Sequence, residues 1–162
     1  MQIRPYTPAD HPAFVAATAL LQEYIADLDD QNVERHGADF DALAYADWAI
    51  KAGSGSGGLL LVAEDEGKLI GYLVGALHEN SERLEIECYP AKEAEVLELF
   101  VKEEYRKQKV GYSLMTAAET HFRNLGCAAL LVEGFAPNEN AHAFYNRLGY
   151  VDRTINMRKP LT

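Results

Sequence analysis

The chain has 162 residues, is 48% apolar and carries a formal charge of −10 at neutral pH. Such a length and apolar share suit one domain with a substantial core and exclude a disordered chain, while the acidity argues against a nucleic-acid-binding face, which needs concentrated cations. No apolar run reaches the length of a membrane span and the N-terminus lacks the basic flank and apolar centre of a signal peptide, so the expectation is a cytoplasmic protein with no membrane partner.

Residues 2–5 read as a short strand. Pro8-Ala9-Asp10 opens a helix in which Phe14, Val15, Ala17, Thr18, Leu21, Tyr24, Ile25 and Leu28 recur at helical spacing to about residue 29. A second helix, 38–52, spreads Phe40, Leu43, Ala44, Ala46, Asp47 and Ile50 around its faces and runs into Gly53-Ser54-Gly55-Ser56-Gly57-Gly58. That run could be a domain linker or a phosphate loop. The segment before it has too few strands for a separate mixed domain, and the run lacks the Gly-Lys-Ser/Thr ending of a nucleotide P-loop, so it is expected to be a mobile connection over a substrate cleft.

Residues 59–64 and 68–78 form two apolar strands joined at Asp65-Glu66-Gly67, a hairpin signal. A polar excursion over 79–94 leads to a strand at 95–101. A helix at 111–125 closes at Gly126, a strand follows at 128–135, a helix at 139–148 closes at Gly149, and a final strand is expected near 150–157. The order β-α-α-β-β-β-α-β-α-β predicts an α/β fold with a mixed sheet, as one domain over 1–162.

The stretch Leu99-Phe100-Val101-Lys102-Glu103-Glu104-Tyr105-Arg106-Lys107-Gln108-Lys109-Val110-Gly111-Tyr112-Ser113 carries an apolar strand through a basic turn into a helix. Backbone N–H groups of such a turn and of the first helical turn make a site for phosphate. Arg106, Lys107 and Lys109 crowd a helix N-terminus, where each cation opposes the dipole by several tenths of a kcal/mol, roughly. In an acidic protein that arrangement asks for a bound anion; the alternative is a solvated basic turn flanked by Glu103 and Glu104.

Two separated motifs make the chain similar to the GNAT superfamily, the Gcn5-related N-acetyltransferases. Leu99-Phe100-Val101 followed by Arg106-Lys107-Gln108-Lys109-Val110-Gly111 resembles the family's apolar strand end and Arg/Gln-x-x-Gly-x-Gly/Ala pyrophosphate loop. Asn138-Glu139-Asn140-Ala141-His142-Ala143-Phe144-Tyr145 with Leu148-Gly149-Tyr150 resembles its Asn-x-x-Ala-x-x-Phe-Tyr…Gly-Phe/Tyr signature. The resemblance implies a single GNAT-like domain, a twisted, mostly antiparallel mixed sheet flanked by about four helices. It also implies acetyl-CoA as cofactor, coenzyme A as product, and transfer of an acetyl group to a primary amine by direct attack in a ternary complex. One departure stands out: Lys109 replaces the first loop glycine, so a bulky residue must reach a glycine-like torsion or add a phosphate contact of its own.

Acyl transfer from a thioester to an amine needs a phosphate site, a neutral amine, stabilisation of an oxyanion and a proton for the departing thiolate. The resemblance places the pantetheine arm on the backbone of Leu99, Phe100 and Val101, extends the cofactor loop from Arg106 through Tyr112, assigns a cofactor contact to Asn138 and makes Tyr145 the general acid beside the cofactor. Read without it, Tyr145 is a packing aromatic next to Phe144. Glu98, between Leu97 and Leu99, is a candidate general base because desolvation in an apolar strand would raise its pKa. Glu133 matches the spacing of a catalytic glutamate in the family's ribosomal-protein N-terminal acetyltransferases. A carboxylate on a solvated sheet face is the alternative for both, and a water chain or substrate group could replace them as base.

Cys88, Cys127, His121 and His142 show neither metal-ligand spacing nor a nucleophile arrangement, so no metal is expected. The acceptor, a small-molecule amine or a protein amino group, is expected between the first two helices and the 79–94 excursion, with Glu23, Asp27, Asp29 and Asp30 as candidate cation ligands. A homodimer through sheet edges or the final strand is a further expectation. Two other functions stay open: a non-catalytic acyl-CoA sensor or interaction module of the same fold, and a nucleotide-phosphate enzyme, which would lack both the P-loop pair and the Gly-x-Gly-x-x-Gly fingerprint.

Overall fold

A computed structural model describes every residue except 80, 82–85 and 162. Strands β1 (Gln2–Pro5), β2 (Leu59–Asp65), β3 (Lys68–Leu77), β4 (Glu93–Val101) and β5 (Ala129–Val132) form one open sheet in that order. The first three pairings are antiparallel and β4–β5 is parallel. Helices α1 (His11–Leu28) and α2 (Ala42–Gly53) precede β2, α3 (Val110–Asn124) joins β4 to β5, and α4 (Glu139–Arg147) follows β5. This is the expected α/β architecture.

The central strand β3 is buried on both faces from Leu69 through Gly75, as its unbroken apolar run requires. On one face α1 and α2 pack Phe14, Ala17, Ala46 and Ala49 against Val62, Tyr72, Val74 and Phe100. On the other, α3 sets Leu114, Met115, Ala118 and Phe122 against Leu61, Ile70, Leu73 and Val96. Arg4 ties β1 down by donating to both carboxylate oxygens of Asp10 at 2.7 and 2.8 Å and to Glu64 at 2.8 Å, which holds the Asp10 carboxyl well below the usual carboxylate range.

One irregularity in β4 decides the site. Val74 pairs with Glu98 and Gly75 with Val96, so Leu97 is an extra residue on β4, a β-bulge. The bulge resets the alternation of side chains. Ala94 and Val96 lie in the α3-side core, but beyond the bulge it is Leu99 and Val101 that face α3, while Leu97 and Phe100 pack with the α1–α2 core. Glu98 is thereby delivered to the α1–α2 side rather than to a solvated face.

Two expectations are corrected here. The expected final strand is absent: residues 151–161 are described without strand structure and make no backbone hydrogen bond to any described segment. Their alternating pattern suits a strand, but a strand exists only where a second backbone supplies partners. The Gly-Ser run is a close-packed turn between α2 and β2 rather than a cover for a cleft. A Cβ on Gly58 would stand 2.6 Å from the Gly53 carbonyl oxygen, and one on Gly57, whose φ is +74°, would stand 2.7 Å from the Leu77 side chain. Part of the 79–94 excursion, residues 80 and 82–85, lies outside the described residues. No helix among the described residues is long and apolar enough to cross a membrane.

Candidate active site

Parallel pairing of β4 with β5 stops at Val96 and Val132. Beyond that point the two chains no longer pair, and a cavity of about 270 Å³ opens between Leu97–Leu99 on one side and Glu133–Phe135 on the other. Thr18, Gln22 and Ile25 of α1, Tyr45 of α2, and Asn138 and Tyr145 of the α4 region complete its walls. The candidate residues Glu98, Leu99, Glu133, Asn138 and Tyr145 therefore meet in one place.

Glu98 is only 8% exposed. Burial pushes its carboxyl up to about 7, an effect partly opposed by the tyrosine hydroxyls of Tyr45 and Tyr72. Tyr45 donates a short hydrogen bond to Glu98 Oε1. The Tyr72 hydroxyl, in the core beneath, stops short of ordinary hydrogen-bond geometry with any partner among the described residues, yet it favours the charged form of the Glu98 carboxyl. Desolvation and the negative charge of Glu98 push the Tyr145 phenol up to about 12, so it keeps its proton at neutral pH. Its ring is held edge-on by Phe144 and Tyr150, with centroids 5.4 and 5.8 Å away. Glu133 stands on the opposite wall and is exposed to solvent.

Asn138 is the N-cap of α4: its side chain accepts from Ala141 N–H at 3.1 Å and from the Tyr24 hydroxyl at 3.3 Å. Tyr24 in turn lies under the Arg106 guanidinium, 4.8 Å from ring centroid to Cζ, while Arg106 Nε donates to the Val101 carbonyl at 3.2 Å. The basic loop is thus linked to the cavity wall through α1. Leu99 and Val101 are half-buried, but Phe100 is 4% exposed and packs into the α1–α2 core, leaving only its backbone for a ligand.

The loop before α3 fits a phosphate group. Lys107 and Lys109 both adopt the left-handed region, with φ of +62° and +66°, and Lys109, the N-cap of α3, makes no side-chain capping bond. The torsion normally given to glycine is therefore reached by lysine, at a cost of roughly 1 kcal/mol. The N–H groups of Val110, Gly111 and Tyr112 form the first turn of α3, where no intrahelical acceptor exists for them. Val110 is buried, so only its backbone can serve; a Cβ on Gly111 would stand 3.3 Å from Phe144 Cζ, so the glycine allows α3 and α4 to approach. Gln108 turns its amide to the Glu104 carbonyl at 2.8 Å, and Lys107, Lys109 and Tyr112 are exposed.

Among the proposed cation ligands, none lines the cavity. Glu23 accepts from Gly37 N–H and Asp29 from the N–H groups of Gln31, Val33 and Glu34, so both shape the α1–α2 connection; Asp27 and Asp30 are exposed or lie off the site. Glu34, which that connection turns inward, joins Glu98 and Glu133 on the cavity wall. Sequence reasoning missed Glu34 and Tyr45. Tyr45 left one usable signal, a polar-tipped aromatic immediately before Ala46, on the buried face of α2.

A model of the acetyltransferase (GNAT) family matches residues 20–150. An uncharacterised N-acetyltransferase of Methanocaldococcus jannaschii is 28% identical over 95 residues, 58% of this chain and 53% of that protein, so the chain spans about half the length of the curated relative it matches. A crystal structure of a mutant BH1408 protein of Bacillus halodurans superposes with a TM-score of 0.84 at 22% identity over the full length of both chains. An aminoglycoside 6'-N-acetyltransferase of Acinetobacter haemolyticus gives 0.72 at 14% identity, also over both full chains. A further aminoglycoside acetyltransferase structure, holding a bisubstrate analogue of CoA and an acetylated neamine, gives 0.65 at 19% identity over 98% of this chain and 97% of that one.

Proposed function

Because the chain belongs to the GNAT acetyltransferase family, we propose that it moves an acetyl group from acetyl-CoA to a primary amine by direct attack in a ternary complex. The observation that carries this reading is the meeting of a buried carboxyl, Glu98, and a buried phenol, Tyr145, in one cavity at the parting of β4 and β5.

When bound, acetyl-CoA supplies an activated thioester carbonyl. The N–H groups from Gln108 to Tyr112, with Lys107 and Lys109, would hold its phosphates, and the backbone of Leu99, Phe100 and Val101 would hold its arm. Glu98 takes a proton from the incoming ammonium. With its pKa near 7 it is a far better base than an ordinary carboxylate, yet half of it is ionised at neutral pH. Tyr145 keeps its proton at Oη, held there by its raised pKa, and donates a hydrogen bond from it to the leaving sulfur, which departs as a thiolate less basic than the phenolate would be. Glu133, across the cavity, is the second candidate base.

The acceptor we propose is a small cationic amine. Glu34, Glu98 and Glu133 give the cavity a negative lining, and its volume suits a compact ligand; a protein amino group is the other acceptor class. A cytoplasmic location accompanies this reading. Calorimetry with acetyl-CoA, followed by thiol release against an amine panel for wild type and Tyr145→Phe, tests it. Binding together with a roughly tenfold or larger fall in release by the variant is expected. Binding without release across the panel would favour a sensor, and absence of binding would overturn the assignment.

A further inference from the structure

We infer that Tyr72, a wholly buried residue, is a positioning residue for Glu98: its hydroxyl donates to the carboxylate once that group is ionised, so that Tyr45 and Tyr72 together hold the charged form in place on the cavity wall. The importance of this for turnover rests on the reading of Glu98 as the base. Tyr72 is 0% exposed, and its hydroxyl has no hydrogen-bond partner among the described residues. The ring is clamped between Phe14 and Phe100, with centroids 4.4 and 5.6 Å away, and Val62 stands opposite it on β2. Phenylalanine would fill the same space, whereas a buried hydroxyl left unpaired costs stability. Packing therefore accounts for the ring and gives the hydroxyl no purpose.

Strand register supplies one. Tyr72 pairs with Phe100 and Val74 with Glu98, so the phenol and the carboxyl occupy diagonal positions on neighbouring strands, on the sheet face that α1 and α2 cover. Long side chains at such positions can meet. Glu98 and Tyr45 are the titratable groups that act on the Tyr72 hydroxyl. Other elements around the carboxyl have no donor to spare for it. The polar groups that α1 brings to the cavity, Thr18 and Gln22, already donate to the carbonyls of Val15 and Arg35, each at 2.8 Å. The α1–α2 connection brings Glu34 and the segment after β5 brings Glu133, both carboxylates, while the Tyr145 phenol of α4 serves the leaving sulfur. Burial alone would leave Glu98 protonated at neutral pH and idle as a base. The two phenols oppose burial, and the balance sits at about 7. What the unpaired hydroxyl costs beside the protonated carboxyl is thus offset whenever Glu98 ionises, with the carboxylate held ready for the next proton.

Carbon-13 NMR of the carboxyl-labelled full chain, with the Glu98 signal assigned by its loss in Glu98→Gln, tests this without reference to turnover. Tyr72→Phe should raise the Glu98 midpoint by about one pH unit, and Tyr45→Phe combined with Tyr72→Phe should raise it further. The limb of kcat/KM should shift with it in Tyr72→Phe, while KM for acetyl-CoA stays unchanged. Melting at about pH 5, where Glu98 keeps its proton in both proteins, should not fall. With ring-labelled tyrosine in the otherwise unaltered chain, the Tyr72 Cζ signal should follow the Glu98 titration and turn flat in Glu98→Gln, a readout that does not depend on the Tyr72 variant folding. A Glu98 midpoint unmoved by Tyr72→Phe, or a Tyr72 signal that ignores the Glu98 titration, would overturn the proposal. A midpoint that moves with no kinetic limb in either protein would support the contact but overturn Glu98 as the base, so the two readings fail separately.

Discussion

Glu98→Gln tests the site in two independent ways. The Glu98 carboxyl has its pKa raised from 4.5 to about 7 by burial, so it is the folded state that keeps the proton. Between those two values the unfolded chain ionises while the folded one does not, and stability is lost as pH rises through that window. The shift corresponds to about 3 kcal/mol at pH 8 and to less than about 1 kcal/mol at pH 5. Glutamine keeps an acceptor for the Tyr45 hydroxyl and has nothing to ionise. Urea unfolding should therefore find the variant more stable than wild type at pH 8, with most of the gain gone at pH 5. Activity should move the opposite way. For wild type, kcat/KM should climb roughly tenfold between pH 6 and 8 as the base form fills, and the variant should lose that limb together with a hundredfold or more of its rate, roughly. A variant that keeps the limb near pH 7 would refute Glu98 as the base, and a stability difference independent of pH would refute the account of its burial.

Tyr45→Phe removes a bond that favours the charged carboxylate, so the same kinetic limb should move up by about one pH unit; an unmoved midpoint in the pH profile would show the contact to be inert. Lys109→Gly relieves a left-handed lysine but gives up a cation at the phosphate loop. Stability by urea should change little, while acetyl-CoA affinity should fall about two- to fivefold and become less sensitive to salt; unchanged affinity and salt dependence would leave Lys109 without a phosphate role. Gly71→Ala places a Cβ 2.7 Å from the Phe100 carbonyl oxygen, forcing β3 from β4 at a cost of about 1–3 kcal/mol in chemical denaturation.

What could be read from the linear chain was what depends on neighbours in sequence. Helical spacing from Phe14 to Leu28 located α1, the Asp65-Glu66-Gly67 turn joined β2 to β3, and glycines at 126 and 149 marked two helix ends, because period and turn chemistry are local properties. The two motifs carried the family, and their residues do converge: Asn138 and Tyr145 from one, Leu99 from the other. The final strand was misjudged for the complementary reason. Alternation in residues 151–161 states a preference, whereas a strand needs a partner that no local pattern contains.

The chemistry of the cavity was decided by tertiary structure. Sequence placed Glu98 between two leucines, but alternation alone could not say which face it would take, because the side was set by the bulge at Leu97, and a bulge is a relation between two strands in register. The partner of that carboxyl, Tyr45, lies 53 residues away on α2 and meets it only after the helix docks on the sheet. A raised pKa follows from the same event, since desolvation is a property of the enclosure rather than of the residue. Local sequence thus determined the elements and the family; packing of α1 and α2 over a bulged β4 turned a surface-type glutamate into a buried carboxyl that titrates near neutrality.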